Sequence, residues 1–175
     1  AQIHFAAGPE TIDQHTPARC MGPAWIVRRT GLPPKALHTV ADLGPIADRF
    51  QSGDSLLFHT GWSAHVDNPA IYRDGLPRIS DELARWCVAK KAKLLGVEPP
   101  SVADVTNLAE VTLIHQILLG GGVTIVEGLT HLDQLKSDRV FFAALPLRLV
   151  SGDGCPVRAF AAEGPLPAWD FNPTP

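Results

Sequence analysis

The chain has 175 residues, 45% of them apolar and 19% charged, with a formal net charge of -3 at pH 7. That length suits one domain with its own core, and that charge gives no basic footprint for nucleic acid or an anionic membrane surface. No apolar run approaches the roughly 20 residues that span a bilayer, so neither nucleic acid nor membrane is expected as a partner.

In chain order, His4 precedes Phe5 and a turn-like AAGPET, and taken alone it reads as a solvent-exposed histidine near a terminus. Asp13 and His15 form an apparent pair in what reads as a surface loop. AWIVRR, 24–29, can form a strand, and GLPPKALHTVADLGPIADRF a loop followed by a short helix. SLLFH, 55–59, is an apolar run bounded by turn signals, a buried strand. The stretch after it, HTGWSAHVDNP, places His59, His65 and Asp67 within nine residues and imitates a metal motif. No regular element holds those three in register, so a polar loop is the better reading.

Ser80 is the expected N-cap of SDELARWCVAKK, whose acids open the helix and whose lysines close it, as the helix dipole prefers. Leu83, Trp86 and Cys87 share one face. KLLGV, 93–97, is a second buried strand. TNLAEVTLIHQILL, 106–119, is a longer helix stopped by Gly120-Gly121-Gly122. VTIVEGL, 123–129, and RVFFAALPLRL, 139–149, are further strands. SGDG turns the chain into a last strand, CPVRAFAA, and the proline-rich tail reads as extended. This strand-helix-strand rhythm predicts an α/β domain over residues 1–163, followed by an arm over 164–175 whose Trp169 and Phe171 would dock on a neighbouring subunit. Cys20, Cys87 and Cys155 are odd in number and form no C-x-x-C pair, which suits reduced thiols in a cytoplasmic protein.

Two residues stand out chemically. In VTIVEGL the period of two puts Glu127 on the face of Val123, Ile125 and Leu129, where a carboxylate needs a counter-charge, hydrogen bonds, a metal or a strand end that reaches water. His115 lies in the preceding apolar helix, where a satisfied core histidine is the common outcome. His115 stands about 7 Å from its helix end and Glu127 about 16 Å into the next strand. The glycine turn between them permits contact without demanding it.

His4-Phe5-x-x-Gly8, TGW at 60–62, PSV at 100–102, HQILLGGGVTIVEGLTHLDQL at 115–135 and ALPLRLVSGDGCPVRAFA at 144–161 resemble the cyclase family of metal-dependent hydrolases. That family includes bacterial kynurenine formamidases and isatin hydrolases. The resemblance implies a swivelling β/β/α fold and a divalent metal, zinc or manganese. It implies hydrolysis of a small amide, lactam or ester, with His115 and Glu127 at the metal and His4 as catalytic acid/base. Trp62 and Trp25 are guesses for the wall that holds a small-molecule substrate. A homodimer or homotetramer is the implied assembly. The family motif His-x-Gly-Thr-His-x-Asp-x-Pro-x-His-Phe has its first histidines and aspartate upstream of the His-Phe pair. Only three residues precede His4 here, and Gln2 stands where proline is usual. Two readings follow: a chain that is part of a longer metal hydrolase, or a metal-free, non-catalytic homologue serving as a binding or assembly module. Cyclase or lyase chemistry in secondary metabolism is a third reading that uses similar metal logic.

Overall fold

The computed structural model describes residues 1–165. Its centre is a six-stranded sheet built from β1 (Met21–Arg28), β3 (Ser55–His59), β5 (Leu94–Val97), β6 (Thr124–Val126), β7 (Arg139–Ala144) and β8 (Ala159–Ala162). The strands lie side by side in the order β6-β5-β3-β1-β7-β8, while β2 (Leu37–His38) and β4 (Arg78–Ile79) form a separate pair. Pairings from β1 through β3 and β5 to β6 are parallel, and those of β1 with β7 and β7 with β8 are antiparallel. Helices α1 (Pro17–Cys20), α2 (Ile46–Arg49), α3 (Pro69–Tyr72), α4 (Asp81–Ala89) and α5 (Leu108–Gly120) complete the regular structure with short 3-10 turns. The expected α/β class is the class observed.

Alternation along the central strands explains both layers of the core. Trp25, Val27, Leu56, Phe58, Leu95 and Val97 point to one face, where Leu83, Cys87, Ile114 and Leu118 from α4 and α5 cover them. Ala24, Ile26, Leu57, Leu94, Val140 and Phe142 point to the other, against Leu129 and Leu132. Ser80 caps α4 as expected, its Oγ accepting the Leu83 N–H at 3.0 Å. Asn107 caps α5, accepting from the Glu110 N–H at 3.2 Å. The glycine run ends α5, and Gly122, at φ +83°, makes the left-handed step that an L side chain resists.

Several expected elements are shorter in the fold. The strand expected over 123–129 is regular only from Thr124 to Val126, and that over 139–149 ends at Ala144. Proline 146 cannot donate to a ladder. The last strand begins at Ala159 rather than Cys155. The arm expected over 164–175, with Trp169 and Phe171, lies outside the described residues apart from Gly164 and Pro165. Among the described residues no helix is long and apolar enough to cross a membrane.

Candidate active site

The parallel strands β3, β5 and β6 end on one edge of the sheet, the usual place for a site in such folds. Glu127 is the first residue beyond β6. Two backbone bonds hold the chain beyond it, Gly128 N–H to Pro99 O and Leu129 N–H to Val97 O, both at 3.0 Å. Its Oε1 accepts the Val102 N–H at 3.2 Å, so the PSV segment positions the carboxylate. The side chain is 32% exposed. It is therefore a strand-end acid that reaches open space, one of the alternatives the sequence pattern leaves open.

His115 faces it from the last turns of α5, with Nε2 3.5 Å from Glu127 Oε1. The imidazole is buried, and its Nδ1 lies 2.7 Å from the Val111 carbonyl. A carbonyl only accepts, so Nδ1 carries the proton and donates. In the neutral ring Nε2 then offers a lone pair toward the carboxylate. This arrangement, a backbone carbonyl fixing the tautomer of an imidazole, is how metal-binding histidines are commonly held. Two acceptors facing each other at that distance call for a proton or a cation between them.

His4 completes the cluster, its ring centroid 6.0 Å from that of His115. Phe5 lies flat on His115, with centroids 4.3 Å apart. Reaching that position takes a left-handed backbone at Phe5 (φ 56°) and Ala6 (φ 51°), worth about 1–3 kcal/mol of strain per residue. The segment is tied down by Gln116, whose Nε2 donates to Phe5 O at 3.0 Å. Nδ1 of His4 lies 2.8 Å from Asp153 Oδ2. The hydrogen bond from His4 holds the Asp153 carboxyl below the usual range. Asp153 escapes sequence reasoning: it lies 149 residues from His4, in a turn whose SGDG composition reads only as a turn.

These groups line a cavity of about 400 Å³ together with Leu119, Ile125 and Val157. A second hollow, about 670 Å³, adjoins it at Val126, Glu127, Pro156 and Val157. Trp25 and Trp62 line neither. Trp25 is buried, donates Nε1–H to Asp54 at 2.8 Å and lies under Arg49 and Arg139. Trp62 is buried and donates to Tyr72 O at 3.0 Å. The structure thus packs both indoles away from the expected substrate wall.

The HTGWSAHVDNP stretch is a polar loop, and it has a different role from the one it imitates. Thr60 N–H, Thr60 Oγ1 and Trp62 N–H all donate to Oε2 of Glu98, at 2.8, 2.7 and 2.9 Å. Glu98, buried at the end of β5, is satisfied by this loop. Tyr72, farther along, donates to the Glu98 carbonyl at 2.9 Å. Its phenol is pushed up by burial first and then by the charges of Glu98 and Glu127. Nor is His15 a surface residue: its side chain is 1% exposed and lines the cavity. Among the described residues no three His, Cys, Asp or Glu side chains come together in a way that could hold a metal ion.

Known proteins resemble this chain in sequence and in fold. The Cyclase family model matches residues 1–104. A kynurenine formamidase of Geobacillus thermodenitrificans is 36% identical over 105 residues, covering 59% of this chain and 47% of that protein. Isatin hydrolase A from Ralstonia solanacearum superposes with a TM-score of 0.77 at 25% identity, covering 91% of this chain and 66% of that one. A structure described as a potential metal-dependent hydrolase with cyclase activity gives a TM-score of 0.72 at 25% identity, covering 92% and 74%. The chain spans about half the length of the curated relatives it matches.

Proposed function

Because the chain belongs to the cyclase family, we propose that it contributes to a hydrolase site for a small amide, lactam or ester. The observation that carries this is the His115–Glu127 pair, 3.5 Å apart, with the Nδ1–H of His115 already donating to the Val111 carbonyl. Its relatives carry the names kynurenine formamidase and isatin hydrolase, which supports this reading.

One imidazole nitrogen and one carboxylate suit zinc or manganese, so His115 and Glu127 would hold such an ion. They are two ligands, and the described residues add no third; further ligands must complete the centre. When bound, a divalent ion supplies Lewis acidity that polarises a carbonyl and acidifies water. The chain's own groups do the rest. His4, tethered through Nδ1 to Asp153, keeps Nε2 for moving a proton between water and the departing group. Phe5 shields one face of His115 from solvent. Leu119, Ile125 and Val157 accept the apolar body of a small substrate.

The test takes the full natural protein, measures bound metal by mass spectrometry, and assays formamides, lactams and esters with and without chelator. Metal near one equivalent, and hydrolysis lost on chelation, are expected. Retention of full activity by the His115→Ala/Glu127→Gln double variant would overturn the assignment. A metal-free binding module is the rival reading, and it requires no metal in the natural protein. Cyclase or lyase chemistry remains the third, told apart by its products.

Assembly with further copies of this chain belongs to the same proposal, supported by the exposed Leu147, Val150 and Phe160. Three free thiols favour a reducing, cytoplasmic compartment.

A further inference from the structure

The stretch Ile3-His4-Phe5-Ala6-Ala7 holds a shape that its residue types do not favour. Its backbone turns left-handed twice in succession, at Phe5 (φ 56°) and Ala6 (φ 51°). Residues other than Gly, Asn and Asp seldom enter that region, and those that do persist only where their surroundings hold them. This step sets the rings on the site. Phe5 lies flat on His115 at 4.3 Å and edge-on to His4 at 4.6 Å, with His4 in turn 6.0 Å from His115.

Few bonds fix the step. Ala6 N–H to Ile3 O at 3.1 Å and Ala7 N–H to Gln2 O at 2.9 Å close the local turns. The Ala1 amino group and His4 Nδ1 both reach Asp153, each at 2.8 Å. Among the described residues one hydrogen bond joins residues 3–7 to α5, from Gln116 Nε2 to Phe5 O at 3.0 Å. A carbonyl only accepts, so the amide nitrogen faces it. The Phe5 ring also packs against the core, but apolar contact has no direction, and it is the hydrogen bond that orients the peptide. Gln116 follows His115 in the helix; His115 is buried, and Gln116 is exposed. One turn on, Gly120 leaves the same helix face bare where the segment passes, and a Cβ there would stand 3.4 Å from Ala7 O.

We propose that Gln116 is a positioning residue: its amide holds the Phe5–Ala6 step and thereby sets the His4 imidazole in the site and Phe5 over His115. This rests on the reading of His4 as the group that moves the proton. Gln116 lines neither hollow, so it acts on turnover rather than on substrate binding.

The test uses the full natural protein as wild type, as Gln116→Met, which keeps the length and loses the donor, and as Gln116→Lys, which keeps a donor. Formanilide and phenyl acetate are the probes. Gln116→Met is expected to lower kcat about tenfold on whichever probe is turned over, as a misplaced catalytic group does, with KM changed less than about twofold. Gln116→Lys should recover most of kcat. Ala6→Gly added to Gln116→Met should recover part of it, because glycine takes the left-handed conformation without steric cost. An unchanged kcat in Gln116→Met, a loss carried by KM, or a loss that neither change relieves overturns the proposal.

Hydrogen exchange gives a readout independent of turnover. The amides of Ala6 and Ala7 should exchange about fivefold faster in Gln116→Met, the worth of one hydrogen bond, and regain protection in Gln116→Lys, while those of α4 stay as in wild type. Uniform acceleration, no acceleration, or no recovery in Gln116→Lys overturns the clamp. If wild type hydrolyses neither probe, the hydrolase reading fails by itself, and the exchange result alone decides whether Gln116 holds the segment.

Discussion

At His115 the two ring nitrogens have different partners, and this division decides what the residue can do. Nδ1 is spent on a carbonyl one turn back in α5, and Nε2 is left facing Glu127. Two ligands leave a divalent ion mostly hydrated, so residues 1–175 alone are expected to bind zinc weaker than micromolar. Calorimetry showing submicromolar affinity contradicts this. His38 gives a second prediction. It is buried against Phe58, and burial lowers its pKa to about 4. The unfolded chain therefore takes up this proton first as pH falls below about 6.5. Stability from this residue is intact above that pH and is lost as pH falls toward 4, a loss of about 3 kcal/mol. In His38→Leu, urea midpoints at pH 7 and pH 4.5 should lie closer together than in wild type; an unchanged gap counts against it. The pairing of His115 with Glu127 was half legible, because spacing allowed contact. His15 was misread, since a short polar stretch carries no periodicity to reveal that the fold covers it.

Among the elements, caps and strand faces were the legible parts. Ser80 reads as a cap from its place before two acids and an apolar stripe, and the structure gives it that bond. The strand over 55–59 matches residue for residue, because a short apolar run bounded by turns has few alternatives. The two-residue strands β2 and β4 have too little length for any period and were invisible. Close packing on the second sheet face gives a prediction at this scale. A Cβ added at Gly96 in β5 would sit 2.6 Å from Leu57 Cδ2 and 2.7 Å from Leu129 Cδ1. Gly96→Ala is expected to destabilise by about 1–3 kcal/mol through overpacking. A denaturant midpoint unchanged from wild type argues that both leucines repack freely.

For the molecule as a whole, apolar side chains remain exposed on one stretch of chain and on the edge strand beside β7. Leu147 is 61% exposed, Val150 85% and Phe160 54%, more than scattered surface residues usually explain. Among the described residues β8 also pairs on one side only, which makes its other side a template for further association. Sedimentation velocity should find the natural protein as a dimer or tetramer, and Leu147→Glu with Val150→Asp should shift it to a smaller species. A wild-type monomer at high micromolar concentration counts against this surface as an interface.

The sequence by itself determined the α/β class, the helix over most of 106–119 and the presence of an imidazole and a carboxylate on either side of a glycine turn, because periodicity and turn chemistry are local properties. Only the tertiary structure decided that these two groups meet, that Asp153 tethers His4 from 149 residues away, that Trp25 and Trp62 belong to packing, and that His15 lines the cavity. Those are facts of register and of which surfaces the chain covers. Side chains distant in sequence settle them jointly, through packing and exclusion of water, and no local window contains that information.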